Sequence, residues 1–161
     1  MTFKSIFIAG LFSNRVAIVT GGGSGIGRCT AHELSALGAN VAVVGRKQDK
    51  LSAVQQEISD AGGNASTHIC DIREEDQVCA TVEAILKTHN RIDYLVNNAG
   101  GQFSAPLEKI SAKGWDTVVR NNLTGGFLFA RECYRQWMKA QRGEGDHAIV
   151  NIIADMWHGM P

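Results

Sequence analysis

A chain of 161 residues with 44% apolar side chains, 20% charged ones and only two prolines has the make-up of one globular domain, which excludes a disordered chain. At this length folding buries roughly 70% of the surface that the unfolded chain exposes, so neither a disulfide nor a metal staple is required. Sixteen basic residues balance sixteen acidic ones, which excludes a protein held to nucleic acid or to a membrane surface mainly by charge.

The first 13 residues read as a packed extension. Ile6-Phe7-Ile8-Ala9-Gly10-Leu11-Phe12, after Lys4, has the look of a signal peptide's apolar core. It is too short to span a bilayer, and it runs without a small-residue cleavage site into Arg15. A cytoplasmic protein without membrane attachment is expected, with its domain covering residues 14–161.

Val16 to Thr20 is a continuous β-branched run, as a strand covered on both faces requires. Gly25 to Leu37 follows as a helix with apolar Ile26, Ala31, Leu34 and Leu37, stopped by Gly38. Val41 to Val44 is the second strand. Leu51, Val54, Ile58 and Ala61 mark one face of the second helix, which Gly62-Gly63 ends. Ala65 to Cys70 is a more polar third strand, and Val78, Val82, Ile85 and Leu86 stripe the third helix. Tyr94 to Asn97 is the fourth strand. A longer helical region starts near Ser111 and carries Trp115, Val118, Leu123, Phe127, Ala130, Tyr134 and Trp137. The polar run 142–146 then turns the chain into a fifth strand, Ala148 to Ile153.

Strand and helix alternate throughout with no repeat and no linker. The expected fold is α/β, a doubly wound parallel sheet of the Rossmann type with five strands. No helix pattern or turn signal closes the domain after the fifth strand, so the chain reads as cut short, with later strands missing.

Eighteen glycines without a collagen-like period point to tight turns or to backbone passing close to a ligand. Their densest cluster, Thr20-Gly21-Gly22-Gly23-Ser24-Gly25-Ile26-Gly27, lies between the first strand and the first helix. A pyrophosphate needs backbone N–H donors, a helix N-terminus and no side chains in the way, and this segment offers all three. The spacing is neither G-x-G-x-x-G nor a P-loop, since no Lys-Ser/Thr pair follows. The four cysteines, Cys29, Cys70, Cys79 and Cys133, have no C-x-x-C spacing and no histidine placed to complete a zinc site. Buried reduced thiols and no metal are expected.

Thr20-Gly21-x-x-x-Gly25-x-Gly27 resembles the cofactor motif of the short-chain dehydrogenases/reductases. Asn97-Asn98-Ala99-Gly100 is similar to that family's second motif, and Trp115 followed by Asn122-Leu123 to its third landmark, where the family's active-site Asn resides. The resemblance covers the chain from about residue 13 to 155. It implies that Thr20, Gly21, Ser24, Gly25, Ile26 and Gly27 cradle the cofactor's phosphates and that Asn98, Ala99 and Gly100 line its ribose side. Asp71-Ile72 matches the position whose Asp caps the adenine amino group, although an N-cap for the third helix accounts for Asp71 equally well.

In a dinucleotide fold an acidic residue at the end of the second strand binds the 2′-hydroxyl of NAD. That place holds Gly45-Arg46-Lys47 here, with no carboxylate to repel a 2′-phosphate and a guanidinium able to pair with it, so NADP(H) is the expected cofactor. A solvated Arg at a helix start is the plainer account of Arg46.

The catalytic set departs from the family. Asn151-Ile152-Ile153-Ala154 puts Ala154 where the family has a Ser, and the family's Tyr and Lys would come after residue 161. Asn122 is the one catalytic residue that can be named. Without the Ser, ordinary ketone reduction is disfavoured, because nothing polarises the carbonyl beside the acid. Gly100-Gly101-Gln102-Phe103 resembles the branch of 2-enoyl-CoA and 2,4-dienoyl-CoA reductases. That branch implies hydride transfer from NADPH to a double bond conjugated to an acyl-CoA thioester. The partners implied are a small-molecule substrate and, at full length, further copies in a homo-oligomer. The alternatives are an NADP(H)-binding module without catalysis, or a carbonyl or 3-oxoacyl reductase.

Overall fold

The computed structural model describes residues 6–103, 105–143 and 145–153. Five parallel strands form one sheet in the order β3-β2-β1-β4-β5: β1 (Val16–Thr20), β2 (Asn40–Gly45), β3 (Asn64–Ile69), β4 (Tyr94–Asn97) and β5 (Ala148–Asn151). β1 is central and buried along its whole length, as its unbroken apolar run requires. The chain winds outward from β1 through β2 to β3, then returns to place β4 against the other side of β1. The strand order therefore reverses between β1 and β4, where open α/β sheets leave a crevice at the carboxyl ends of their strands.

Strand alternation divides the core in two. Ala17, Val19, Val41 and Val43 face α1 (Gly25–Ala36) and α2 (Gln48–Asp60), meeting Ala31, Leu51, Val54 and Ile58. Ile18, Ala42 and Val44 face the opposite way, toward Val78, Val82 and Ile85 of α3 (Glu75–His89) and Leu128 and Phe129 of α5 (Gly125–Cys133). Gly38 (φ +98°) and Gly62 (φ +83°) end α1 and α2 as expected, whereas α3 ends on Asn90 at φ +59°.

Three expectations are corrected. In the extension Phe12 packs, its ring meeting Tyr94 edge-on at 5.3 Å and its N–H donating to Leu37 O, but Ile6 and Ile8 are 94% and 80% exposed. Cys70 and Cys133 are buried, but Cys29 is exposed on α1. The long helical region buries a different face from the one its apolar residues suggest. Trp115, Leu123, Phe127 and Tyr134 are exposed, while Leu128, Phe129, Cys133 and Met138 are buried. α4 (Ala112–Val119) runs into α5 through a π-helical stretch, Arg120–Thr124, and a second one, Tyr134–Met138, follows α5. Each π turn adds a residue to the turn, so a 3.6-residue period read across it slips by about one position.

His68 on β3 and His89 at the end of α3 form a histidine pair that makes stability depend on pH. Ser66 Oγ lies 2.9 Å from His68 Nε2 and 2.8 Å from His89 Nε2, so the hydroxyl donates to one ring, whose nitrogen must be unprotonated, and accepts an N–H from the other. Burial, with the charge of His89 beside it, lowers His68 from 6.5 to about 4, and burial lowers His89 as well. The unfolded chain therefore takes up protons that the folded one refuses as pH falls from 6.5 toward 4, and stability is lost across that window. Replacing His68 with glutamine should flatten the loss by about 1–2 kcal/mol once solvent screening at this half-buried site is allowed for. Denaturant titrations of both proteins between pH 7 and 4.5 measure it, and parallel pH profiles would remove His68 as the cause.

Candidate functional site

The crevice at the strand-order reversal is walled by three segments. The first is the glycine loop after β1. Gly21 takes φ +66°, and Gly22 N–H donates to Val44 O at 3.2 Å, seating the loop on β2. A Cβ on Gly22 would stand 2.6 Å from Val43 Cγ1, and one on Gly23 would stand 3.1 Å from Lys50 Cβ, so the loop rests directly on the first turn of α2. Ser24 precedes α1 in extended backbone and makes no side-chain cap, which leaves the first N–H groups of α1 without that partner. Gly25 has φ +55° with nothing within 4 Å of a built Cβ. Within the chain its requirement is therefore backbone conformation.

The second wall is the end of β4. Thr20 Oγ1 accepts the backbone N–H groups of Asn98 and Ala99, both at 3.0 Å, and donates to Val96 O at 3.3 Å. Asn98 Nδ2 returns the contact by donating to Thr20 O at 3.0 Å and Gly21 O at 3.4 Å. These bonds strap the ends of β1 and β4 together, and Gly27 fits under the strap. A Cβ there would fall 2.5 Å from Gly21 O and closer still to Asn98 Nδ2.

The third wall is basic. Gly45, Arg46, Lys47 and Lys50 line the crevice from β2 and α2, and Cys70, Asp71 and Ile72 line it from the end of β3. Asp71 is not the cap of α3. That helix starts at Glu75, and the Asp71 carboxylate instead accepts from Arg73 N–H (3.1 Å), Arg73 Nε (2.8 Å) and Arg73 Nη2. The Arg73 hydrogen bonds hold the Asp71 carboxyl down at about 2, against a smaller opposing push from burial.

Of the residues singled out from the sequence, Gly21, Ser24, Arg46, Asp71, Ile72, Asn98, Ala99 and Gly100 line this one crevice. Thr20, Gly25, Ile26, Gly27 and Asn122 do not. Thr20 and Gly27 belong to the strap beneath it, and Ile26 is 63% exposed on the first turn of α1. Asn122 sits in the π-helical stretch and clamps the loop after β4. Its Oδ1 accepts from Gly101 N–H at 3.1 Å, and its Nδ2 donates to Gly101 O at 2.7 Å and Val118 O at 2.9 Å. A Cβ on Gly100 would come within 2.5 Å of that Oδ1, so glycine is required where the clamp crosses the loop. Ala154, where the expected hydroxyl is replaced, lies outside the described residues.

Lys50 and Asn121 also line the crevice, and neither is among the residues that the motifs single out. Lys50 follows Arg46 and Lys47 by one turn, so the basic run could have marked it. Asn121 carries no such signal, because the π turn that aims it escapes helical periodicity. The fit to a phosphate-bearing group rests on a side-chain-free cradle, a helix start with no side-chain cap and three cations on one wall.

The sequence model described as short chain dehydrogenase matches residues 15–156. The chain is 33% identical over 155 residues to the peroxisomal 2,4-dienoyl-CoA reductase of Danio rerio, across 96% of this chain and 50% of that protein. Among solved structures, a citronellol catabolism dehydrogenase of Pseudomonas aeruginosa PAO1 superposes with a TM-score of 0.90 at 55% identity, over 99% of this chain and 64% of that one. A metagenomic short-chain oxidoreductase in complex with NADP superposes at 0.80 with 38% identity, over 89% of this chain and 64% of that one. The chain spans about half the length of the curated relatives it matches. No helix among the described residues is long and apolar enough to cross a membrane.

Proposed function

The chain belongs to the short chain dehydrogenase family, and from that membership we propose that its crevice binds NADP(H) for hydride transfer to or from a small molecule. The observation that carries the choice of cofactor is charge. Arg46, Lys47 and Lys50 line the adenosine end, and no carboxylate stands at the end of β2. The metagenomic relative's complex with NADP supports the same reading.

Bound there, the cofactor supplies a hydride. The backbone from Gly21 through Ser24, Gly25, Ile26 and Gly27 receives the pyrophosphate. Asn98, Ala99 and Gly100 flank the ribose side, Asp71 and Ile72 border the adenine, and Thr20 holds the two walls at fixed separation. Asn122 serves the reaction by holding the Gly101 loop in place.

The substrate we favour is an acyl-CoA thioester with an activated double bond, which the Danio rerio relative's name supports. A second reading, an alcohol or carbonyl compound, is supported by the 55% identity to the citronellol catabolism dehydrogenase. Consumption of NADPH with crotonyl-CoA or a medium-chain 2-enoyl-CoA, set against reduction of NADP⁺ with citronellol, separates the two. Tight binding with neither turnover leaves a nucleotide-binding module. The exposed Trp115, Leu123 and Phe127 support self-association of the protein.

Titrating NADPH and NADH into the protein by cofactor fluorescence tests the cofactor directly. NADPH should bind more tightly. Arg46→Ala should weaken NADPH about ten- to a hundredfold, the worth of one charge-assisted hydrogen bond, while leaving NADH within about twofold. Equal affinities in the unmodified protein would overturn the assignment.

A further inference from the structure

Asp71 is the one carboxylate among the described residues that line the crevice, and it stands on the same wall as the three cations. Left bare, it would act against an anionic ligand in two ways. It would repel a phosphate directly, and it would draw Arg46, whose charge already acts on it, toward itself. The structure shows that it is not bare. Arg73 covers both carboxylate oxygens, with Nε and the backbone N–H on Oδ1 and Nη2 on Oδ2.

This fork is held from both ends. Arg73 O accepts from Arg120 Nη2 at 3.2 Å, and Asp71 N–H donates to Gln77 Oε1 at 2.9 Å. A bidentate pair of this kind fixes the carboxylate plane as well as cancelling its charge.

We propose that Arg73 is a positioning residue for nucleotide specificity. By neutralising and orienting Asp71, it frees Arg46, Lys47 and Lys50 for the 2′-phosphate of an adenosine nucleotide. The inference rests on reading the crevice as the NADP(H) site. It assigns 2′-phosphate selectivity to a side chain that need not touch the phosphate.

The test is calorimetric titration of 2′,5′-ADP and of 5′-ADP, which lacks the 2′-phosphate, into the whole chain. Arg73→Ala should lower the affinity for 2′,5′-ADP by about tenfold and leave that for 5′-ADP within about threefold, so the ratio of the two falls. Adding Asp71→Asn to Arg73→Ala removes the exposed carboxylate and should return the ratio to within about threefold of the starting protein. Asp71→Asn alone, which keeps the cation, should hold or raise the ratio, and it serves should Arg73→Ala fold poorly. A protein that shows no preference for 2′,5′-ADP before any substitution defeats the cofactor reading, and this inference with it. A clear preference that Arg73→Ala leaves unchanged, or that the double substitution fails to restore, overturns the role of Arg73 alone.

Discussion

Gly27→Val should abolish nucleotide binding and destabilise the fold together. The side chain would enter space already occupied by Gly21 O, 2.5 Å from where its Cβ would stand, and by the Asn98 amide that ties β4 to the glycine loop. Neither neighbour is the free end of a flexible side chain, so the loop must move off the helix. Overpacking of this kind costs about 1–3 kcal/mol, and displacing the loop removes the cradle itself. Loss of NADPH binding by more than about a hundredfold is expected, with a fall in the denaturation midpoint. Gly126→Ala is the control. Its Cβ would meet Asn97 Nδ2 at an ordinary 3.6 Å, and a helical alanine should be neutral or stabilising. Unchanged affinity in Gly27→Val would mean that the loop does not form the binding surface.

A second large loss is expected at the opposite end of the sheet. Asp93 is fully buried and ties its own segment to the start of β1 through its side chain, accepting from Val16 N–H (2.8 Å), Arg15 Nη1 (3.1 Å), and Arg91 Nε (2.8 Å) and Nη2 (2.6 Å). Burial pushes its carboxyl up, but the hydrogen bonds from Arg91 and Val16 and the nearby charges outweigh that and hold it below its ordinary 3.8. Asp93→Ala would leave the first N–H of β1 and two guanidinium groups without their shared acceptor, at a cost of about 3–5 kcal/mol. Because the folded-state value is lowered, the contribution is present above pH 3.8 and disappears as the pH falls below it. Equilibrium denaturation at pH 7 measures the loss. A change under about 1 kcal/mol would show that water replaces the carboxylate without penalty.

Residues whose roles depend on local chain chemistry are legible in the sequence alone. The unbroken run Val16–Thr20 fits a strand buried on both faces, and Gly38 and Gly62 fit helix stops, as the fold bears out. The crevice follows from the same logic, since a side-chain-free turn between a strand and a helix has few other uses. What stays hidden depends on distant partners. Nothing near Thr20 in the chain announces that its hydroxyl accepts two N–H groups from residues 98 and 99. Asp71 admits a helix cap or an adenine contact in sequence, because its partner, Arg73, has the look of another charge on a solvated turn. The apolar face of the 112–138 segment is misplaced by periodicity because two π turns interrupt the period.

The turn at Arg120–Thr124 separates fold from function by a count of residues. A π turn is one residue more than an α-helix needs, absorbed locally, so the helix before it and the helix after it keep the faces they would have had without it. Removing one residue from this turn should return the segment to α-helix and let Leu128 and Phe129 keep their places in the core. Within it two successive asparagines serve different neighbours, Asn121 at the crevice and Asn122 on the Gly101 loop. A one-residue shortening would therefore give a protein that folds with its packing intact while losing one of those two engagements. At this point in the chain the site is encoded in length as well as in side chains.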